Sequence, residues 1–110
     1  MISASNIYLV GPMGVGKTTV GRSLSKSLGM DFVDSDQEIE ERTGVSISTI
    51  FDIEGEAGFR EREAKEIFEL VKRKNIVLAT GGGAVTREDV RKAMRHNGLV
   101  IYLHATLEML

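Results

Sequence analysis

The sequence predicts an α/β fold in three layers, with a mainly parallel sheet between helices. Three observations predict it. Four short, β-rich apolar runs alternate along the chain with stretches of 3.6-residue periodicity. Such alternation implies right-handed crossovers and a parallel sheet covered on both faces. The segments richest in Gly and Asp follow the first three runs directly, which gathers them at the carboxyl edge of the sheet, where ligands of such folds bind. Finally, 110 residues are one domain's worth of chain, able to bury on the order of two-thirds of its unfolded surface.

Each element follows from local pattern. Ile7-Tyr8-Leu9-Val10 ends at Gly11 and suits a buried parallel strand. From Lys17 the period becomes 3.6, with Val20, Leu24 and Leu28 on one face, and Gly29 closes the helix. Residues 31–33 form a second strand that runs into Asp34-Ser35-Asp36. Ile39 among its charged neighbours continues as a helix stopped near Gly44. Residues 46–51 read as a helical turn, and 56–74 as a helix with Phe59, Ile67, Leu70 and Val71 as its apolar stripe. Ile76-Val77-Leu78-Ala79 is the third strand and ends in Thr80-Gly81-Gly82-Gly83. Thr86 followed by Asp89 suggests a loose capping box before a helix through about residue 96. Residues 99–103 are the fourth strand, and no repeat, linker or low-complexity tract divides residues 1–110.

Composition excludes several classes of function. Hydrophobic residues at 42% and charged residues at 27% are ordinary for a soluble globular protein. Fourteen basic against sixteen acidic residues give a net charge of −2, without the basic bias of a nucleic-acid binder. The absence of cysteine rules out disulfide scaffolds, thiolate zinc sites and cysteine nucleophiles. No apolar run approaches the roughly 18 residues of a membrane span, and the first residues lack a secretory pattern. These features predict a cytoplasmic protein with no membrane or nucleic-acid partner. His96 and His104 stand without partners at metal-ligand or triad spacing, and the five methionines read as core filler.

One segment carries strong chemistry. Residues 11–18, Gly-Pro-Met-Gly-Val-Gly-Lys-Thr, match G-x-x-x-x-G-K-[ST] between an expected strand and an expected helix. In that context successive N–H groups form a concavity for anions, and the helix N-terminus adds partial positive charge. Lys17 reaches the β- and γ-phosphates, and the Thr18 hydroxyl suits Mg²⁺. Nucleoside triphosphate binding follows.

Asp34 and Asp36 flank Ser35, and on an extended backbone residues i and i+2 point the same way. One carboxylate can hold Mg²⁺ through water and the other can accept a proton from an attacking hydroxyl. Asp36 is also a candidate N-cap of the following helix. By spacing alone, Arg60 is a solvated partner of Glu56 or Glu63, and Arg62, Lys65, Lys72 and Arg73 are solvated face. Gly81-Gly82-Gly83 is either a flexible turn or a place where a ligand approaches backbone N–H groups closely.

The phosphate loop, Asp34-Ser35-Asp36, Gly58-Phe59-Arg60 and Gly81-Gly82-Gly83-Ala84, in this order and spacing, resemble the shikimate kinase family. The resemblance extends over essentially the whole chain, and the last three blocks are its specific part. It implies the P-loop kinase fold, with five strands in the family, and transfer of the ATP γ-phosphate to the 3-hydroxyl of shikimate. It implies that Gly11, Gly14, Val15, Gly16, Lys17, Thr18 and Thr19 hold the nucleotide, with Lys17 also catalytic, and that Thr18 and Asp34 serve Mg²⁺. It further implies that Asp36 contacts the shikimate hydroxyls and acts as base. Arg60 would pair with the shikimate carboxylate. Gly81, Gly82, Gly83, Phe51 and Phe59 would line the acceptor pocket. Family members continue for several further tens of residues with a lid, a second substrate arginine and a last strand and helix, so this chain is expected to be C-terminally incomplete, and monomeric when full length. Two alternatives stay open on the residues: a related small-molecule kinase, such as a gluconate kinase, and a nucleotide-binding module without catalysis.

Overall fold

The computed structural model describes residues 6–12 and 14–104. Met13 and the expected helix start near residue 110 lie outside them. Strands β1 (Asn6–Val10), β2 (Asp31–Asp34), β3 (Ile76–Ala79) and β4 (Gly98–Tyr102) form one sheet in the order β2-β3-β1-β4. Every pairing is parallel, with Leu9 opposite both Ala79 and Ile101. Helices α1 (Lys17–Leu28), α2 (Ser35–Thr43), α3 (Ile47–Leu70) and α4 (Glu88–Asn97) complete the layers, with a 3-10 turn at Ala84–Thr86. The α/β reading therefore holds, and parallel pairing brings the ends of β1, β2 and β3 to a single rim. No helix among the described residues is long and apolar enough to cross a membrane.

Strand alternation sends side chains to two faces. Tyr8, Val10, Ile76 and Leu78 pack with Ala64, Ile67 and Leu70 of α3 and with Val90 and Met94 of α4. Leu9 and Phe32 lie under α1 on the other face. Here the structure corrects the expected stripe. Val20 and Leu28 are 40% and 53% exposed, and the buried residues of α1 are Gly21 and Ser25. The helix lies too close to the sheet for larger groups: a Cβ on Gly21 would sit 2.5 Å from the Phe32 ring and 3.2 Å from Leu9. Gly21→Val is therefore expected to cost about 1–3 kcal/mol by overpacking. Urea denaturation reads this, and an unchanged midpoint would mean that helix and sheet separate freely.

Other differences are local. Helix α3 contains a break at Gly55 (φ 74°, ψ 179°), so the expected turn and the expected helix are two helical segments joined there. The Ser46 side chain caps the first by accepting from Thr49 N at 3.2 Å. The second ends at Leu70, four residues short of expectation, because the chain turns to bring Ile76 into the sheet. The capping box does not form. Thr86 Oγ1 donates to Gly83 O at 2.7 Å inside the 3-10 turn, and Arg87 precedes α4 without a side-chain cap. Ile39, Ile50 and Phe59, with Ile47 and Phe51 against them, make a second small core between α2 and α3.

Candidate active site

The site is built where β1, β2 and β3 end. Gly16 precedes α1 in the left-handed region (φ 92°, ψ 25°), a conformation that favours glycine and turns the loop into the helix. Lys17 Nζ lies back across that loop, donating to Gly11 O at 2.6 Å and Pro12 O at 2.9 Å. Burial lowers its pKa, while the nearby Asp36 and Asp34 act in the opposite direction. Thr18 Oγ1 donates to Asp34 Oδ2 at 3.3 Å.

The acidic pair reaches the site by a different route from the one its spacing suggests. The strand ends at Asp34 and α2 begins at Ser35, so the two carboxylates do not share an extended backbone. Asp34, and not Asp36, is the N-cap. Its Oδ1 accepts from Asp36 N at 2.9 Å and Gln37 N at 3.2 Å, which leaves Oδ2 for Thr18. Asp36 lies in the first helical turn. Both acids nevertheless line one cavity of about 280 Å³, with Gly14, Gly16, Lys17, Thr18 and Thr19 on one side and Ala79, Thr80, Gly81 and Gly82 on the other. All three rim segments thus converge, while Gly11, Val15, Phe51, Phe59, Arg60 and Gly83 do not line this cavity.

Arg60 belongs to an adjoining cluster. Its Nη1 donates to Glu63 Oε1 at 3.0 Å, and Nη2 is 3.6 Å from Glu56 Oε2. Both partners expected from helical spacing are there. The guanidinium is nevertheless only 26% exposed, and it stands 5.3 Å and 6.0 Å from the ring centres of Phe59 and Phe51. Those rings stack at 4.8 Å. Lys72 pairs with Glu69 at i,i+3, whereas Arg62 and Arg73 pair with Glu54 and Glu38, partners that helical spacing does not offer.

Glu63 is the site residue that sequence reasoning missed. It is buried, and among the described residues its Oε2 has no hydrogen-bond partner, nor has the buried Asp36 Oδ1. Burial is the first cause that raises the Glu63 pKa; Asp36 adds to it and Arg60 opposes it. Burial likewise raises Asp36, reinforced by Asp34 and Glu40 and opposed by Lys17 and Arg60. The signal available in sequence was the i,i+3 spacing from Arg60, which says nothing about depth.

The family model for shikimate kinase matches residues 13–110. The chain belongs to the shikimate kinase family. It is 57% identical over 108 residues to a shikimate kinase of Buchnera aphidicola subsp. Schizaphis graminum, covering 98% of this chain and 62% of that one. A shikimate kinase 1 of Yersinia enterocolitica is 54% identical with the same coverage. Among solved structures, a shikimate kinase from Acinetobacter baumannii in complex with shikimate superposes with a TM-score of 0.92 at 54% identity, covering 97% of this chain and 60% of that one. The Aquifex aeolicus shikimate kinase gives 0.88 at 40% identity, covering 94% and 61%. The chain thus spans 62% of the length of the curated relatives it matches. A gluconokinase from Sinorhizobium meliloti, at 18% identity and a TM-score of 0.56, covering 94% and 59%, shares the fold alone.

Shikimate kinases use ATP, and the residues present here fit the Mg²⁺ that accompanies it. Thr18 Oγ1 and Asp34 Oδ2 are adjacent oxygen donors on the cavity wall. Among the described residues no group of three or more His, Cys, Asp or Glu side chains could hold a metal ion. An ion here would complete its shell with water and phosphate, which is the habit of Mg²⁺ in kinases.

The acids of this site make stability depend on pH. A carboxyl whose folded pKa is raised holds its proton more tightly when folded, so it stabilises at low pH. That contribution is present below the ordinary value of 4.5 and is lost as pH rises through the raised value of Glu63. Glu63→Gln should therefore gain stability relative to the parent chain as pH rises from about 4. Denaturation series from pH 4 to 7 would reveal this; a constant difference between the two chains would contradict it.

Proposed function

We propose that this chain carries the nucleotide and acceptor sites of a shikimate kinase, transferring the ATP γ-phosphate to the 3-hydroxyl of shikimate with Mg²⁺. The observation that carries the reading is the convergence on one cavity of the phosphate loop, Asp34, Asp36 and the Gly81-Gly82 segment, with Arg60 beside it. The shikimate-bound relative supports the choice of acceptor.

Loop N–H groups and Lys17 would hold the phosphates once Lys17 Nζ leaves the carbonyls of Gly11 and Pro12. Thr18 and Asp34 Oδ2 would hold Mg²⁺, which neutralises charge on the phosphate oxygens. Asp36 Oδ1 is buried without a partner among the described residues, and its raised pKa makes it a better proton acceptor than an ordinary carboxylate. It would receive the hydroxyl proton as the acceptor oxygen bonds to the γ-phosphorus. The bond from that phosphorus to the β–γ bridging oxygen breaks, and ADP leaves. Arg60 would grip the shikimate carboxylate, with Phe51 and Phe59 supporting the apolar side of the acceptor. Such transfer needs positioning and charge neutralisation more than covalent chemistry by the protein. The proposed enzyme works in the cytoplasm, as a monomer when full length, without nucleic-acid or membrane partners.

The test is ADP release from MgATP with shikimate, gluconate or no acceptor. Release only with shikimate supports the reading. Release with gluconate would favour another small-molecule kinase, and nucleotide binding without release would reduce the chain to a binding module.

A further inference from the structure

Gly83 owes its identity to space and not to backbone conformation. Its φ of −100° is open to any residue. A Cβ on Gly83 would lie 2.5 Å and 2.7 Å from Arg60 Nη2 and Nη1. Gly81 repeats the arrangement with opposite charge: its Cβ would lie 2.5 Å from Glu63 Oε2 and 3.0 Å from Asp36 Oδ1. Neither glycine has a positive φ. The loop after β3 thus receives carboxylates at Gly81 and a guanidinium two residues later. Non-bonded heavy atoms rest at about 3.5–4.0 Å, so an added Cβ forces its neighbour to move. The two neighbours differ in freedom. Glu63 is buried, whereas the Arg60 side chain is 26% exposed on a long stem and can swing toward solvent. At Gly83 the cost therefore falls on the placement of Arg60 and not on the fold.

We propose that Gly83 is a positioning residue whose bare Cα forms the slot that seats the Arg60 guanidinium beside the acceptor site. This rests on the reading of shikimate as acceptor, and it differs from the expectation that the glycines expose N–H groups to a ligand. Gly83 acts through Arg60, so its effect must vanish when Arg60 is removed.

The decisive measurement is a double-mutant cycle on the whole chain. In the ligand-free protein, the Arg60 Nε–Hε resonance, identified by its loss in Arg60→Ala, should shift in Gly83→Ala while resonances remote from Gly83, Arg60 and Glu63 hold and the chain stays folded. Gly83→Ala should weaken shikimate binding about tenfold in the parent chain and less than about twofold in the Arg60→Ala background. An unmoved Arg60 resonance, or equal losses in both backgrounds, overturns the proposal. So does a Gly83→Ala chain that fails to fold, since Arg60 has room to yield. If the parent chain binds no shikimate, the functional reading fails on its own, and the ligand-free Arg60 resonance still decides whether the slot exists.

Discussion

Asp36→Asn is expected to lower turnover by about 10²-fold or more while leaving ATP affinity within about twofold. The substitution keeps the shape of the side chain and removes its capacity to take a proton. It also leaves the start of α2 intact, because the cap is Asp34 and Asp36 contributes only its backbone N–H to that bond. The folded protein should become no less stable. Burial and the carboxylates of Asp34 and Glu40 disfavour charge at this position, and the amide carries none. Steady-state ADP release together with ATP binding by calorimetry gives both numbers. Unchanged turnover would remove Asp36 from the chemistry and leave the cavity as a nucleotide site alone.

Lys17→Met should raise the ATP dissociation constant by about 10²-fold or more. Hydrogen bonds to charged groups are worth about 1.5–3 kcal/mol each, and Lys17 is placed to make more than one to phosphate. In the ligand-free protein it donates to the carbonyls of Gly11 and Pro12, so its loss also frees the loop. Shikimate affinity should stay within about twofold, since Arg60 lies in a separate cluster with Glu63, Phe51 and Phe59. Calorimetric titration of each ligand separates the two effects. Equal losses for both would mean that Lys17 holds the acceptor side together, contrary to a site divided into nucleotide and acceptor clusters.

Asp36→Asn and Lys17→Met both act on residues legible from sequence, for a physical reason. Strand runs, helical periods and the phosphate loop are local patterns, written within about ten consecutive residues. Alternation of these elements, joined by right-handed crossovers, is enough to place residues 11–19, 34–36 and 80–83 on one rim. Local pattern alone thus settles the parallel sheet, the anion-binding loop, the nearness of both acids to it, and the intrahelical partners of Arg60.

Distance and depth come from the packing of the folded chain. Periodicity shows that Val20, Leu24 and Leu28 share a face; it does not show that α1 approaches Phe32 so closely that Gly21 must take their place. Spacing offers Glu56 and Glu63 as equal partners for Arg60. The fold buries Glu63 against Gly81 and leaves Glu56 in solvent. The N-cap falls on Asp34 and not on Asp36, because α2 starts at Ser35, two residues earlier than a cap at Asp36 would place it. These outcomes depend on how near separate elements come to one another. That nearness is set by packing among residues tens of positions apart, and no local window contains it.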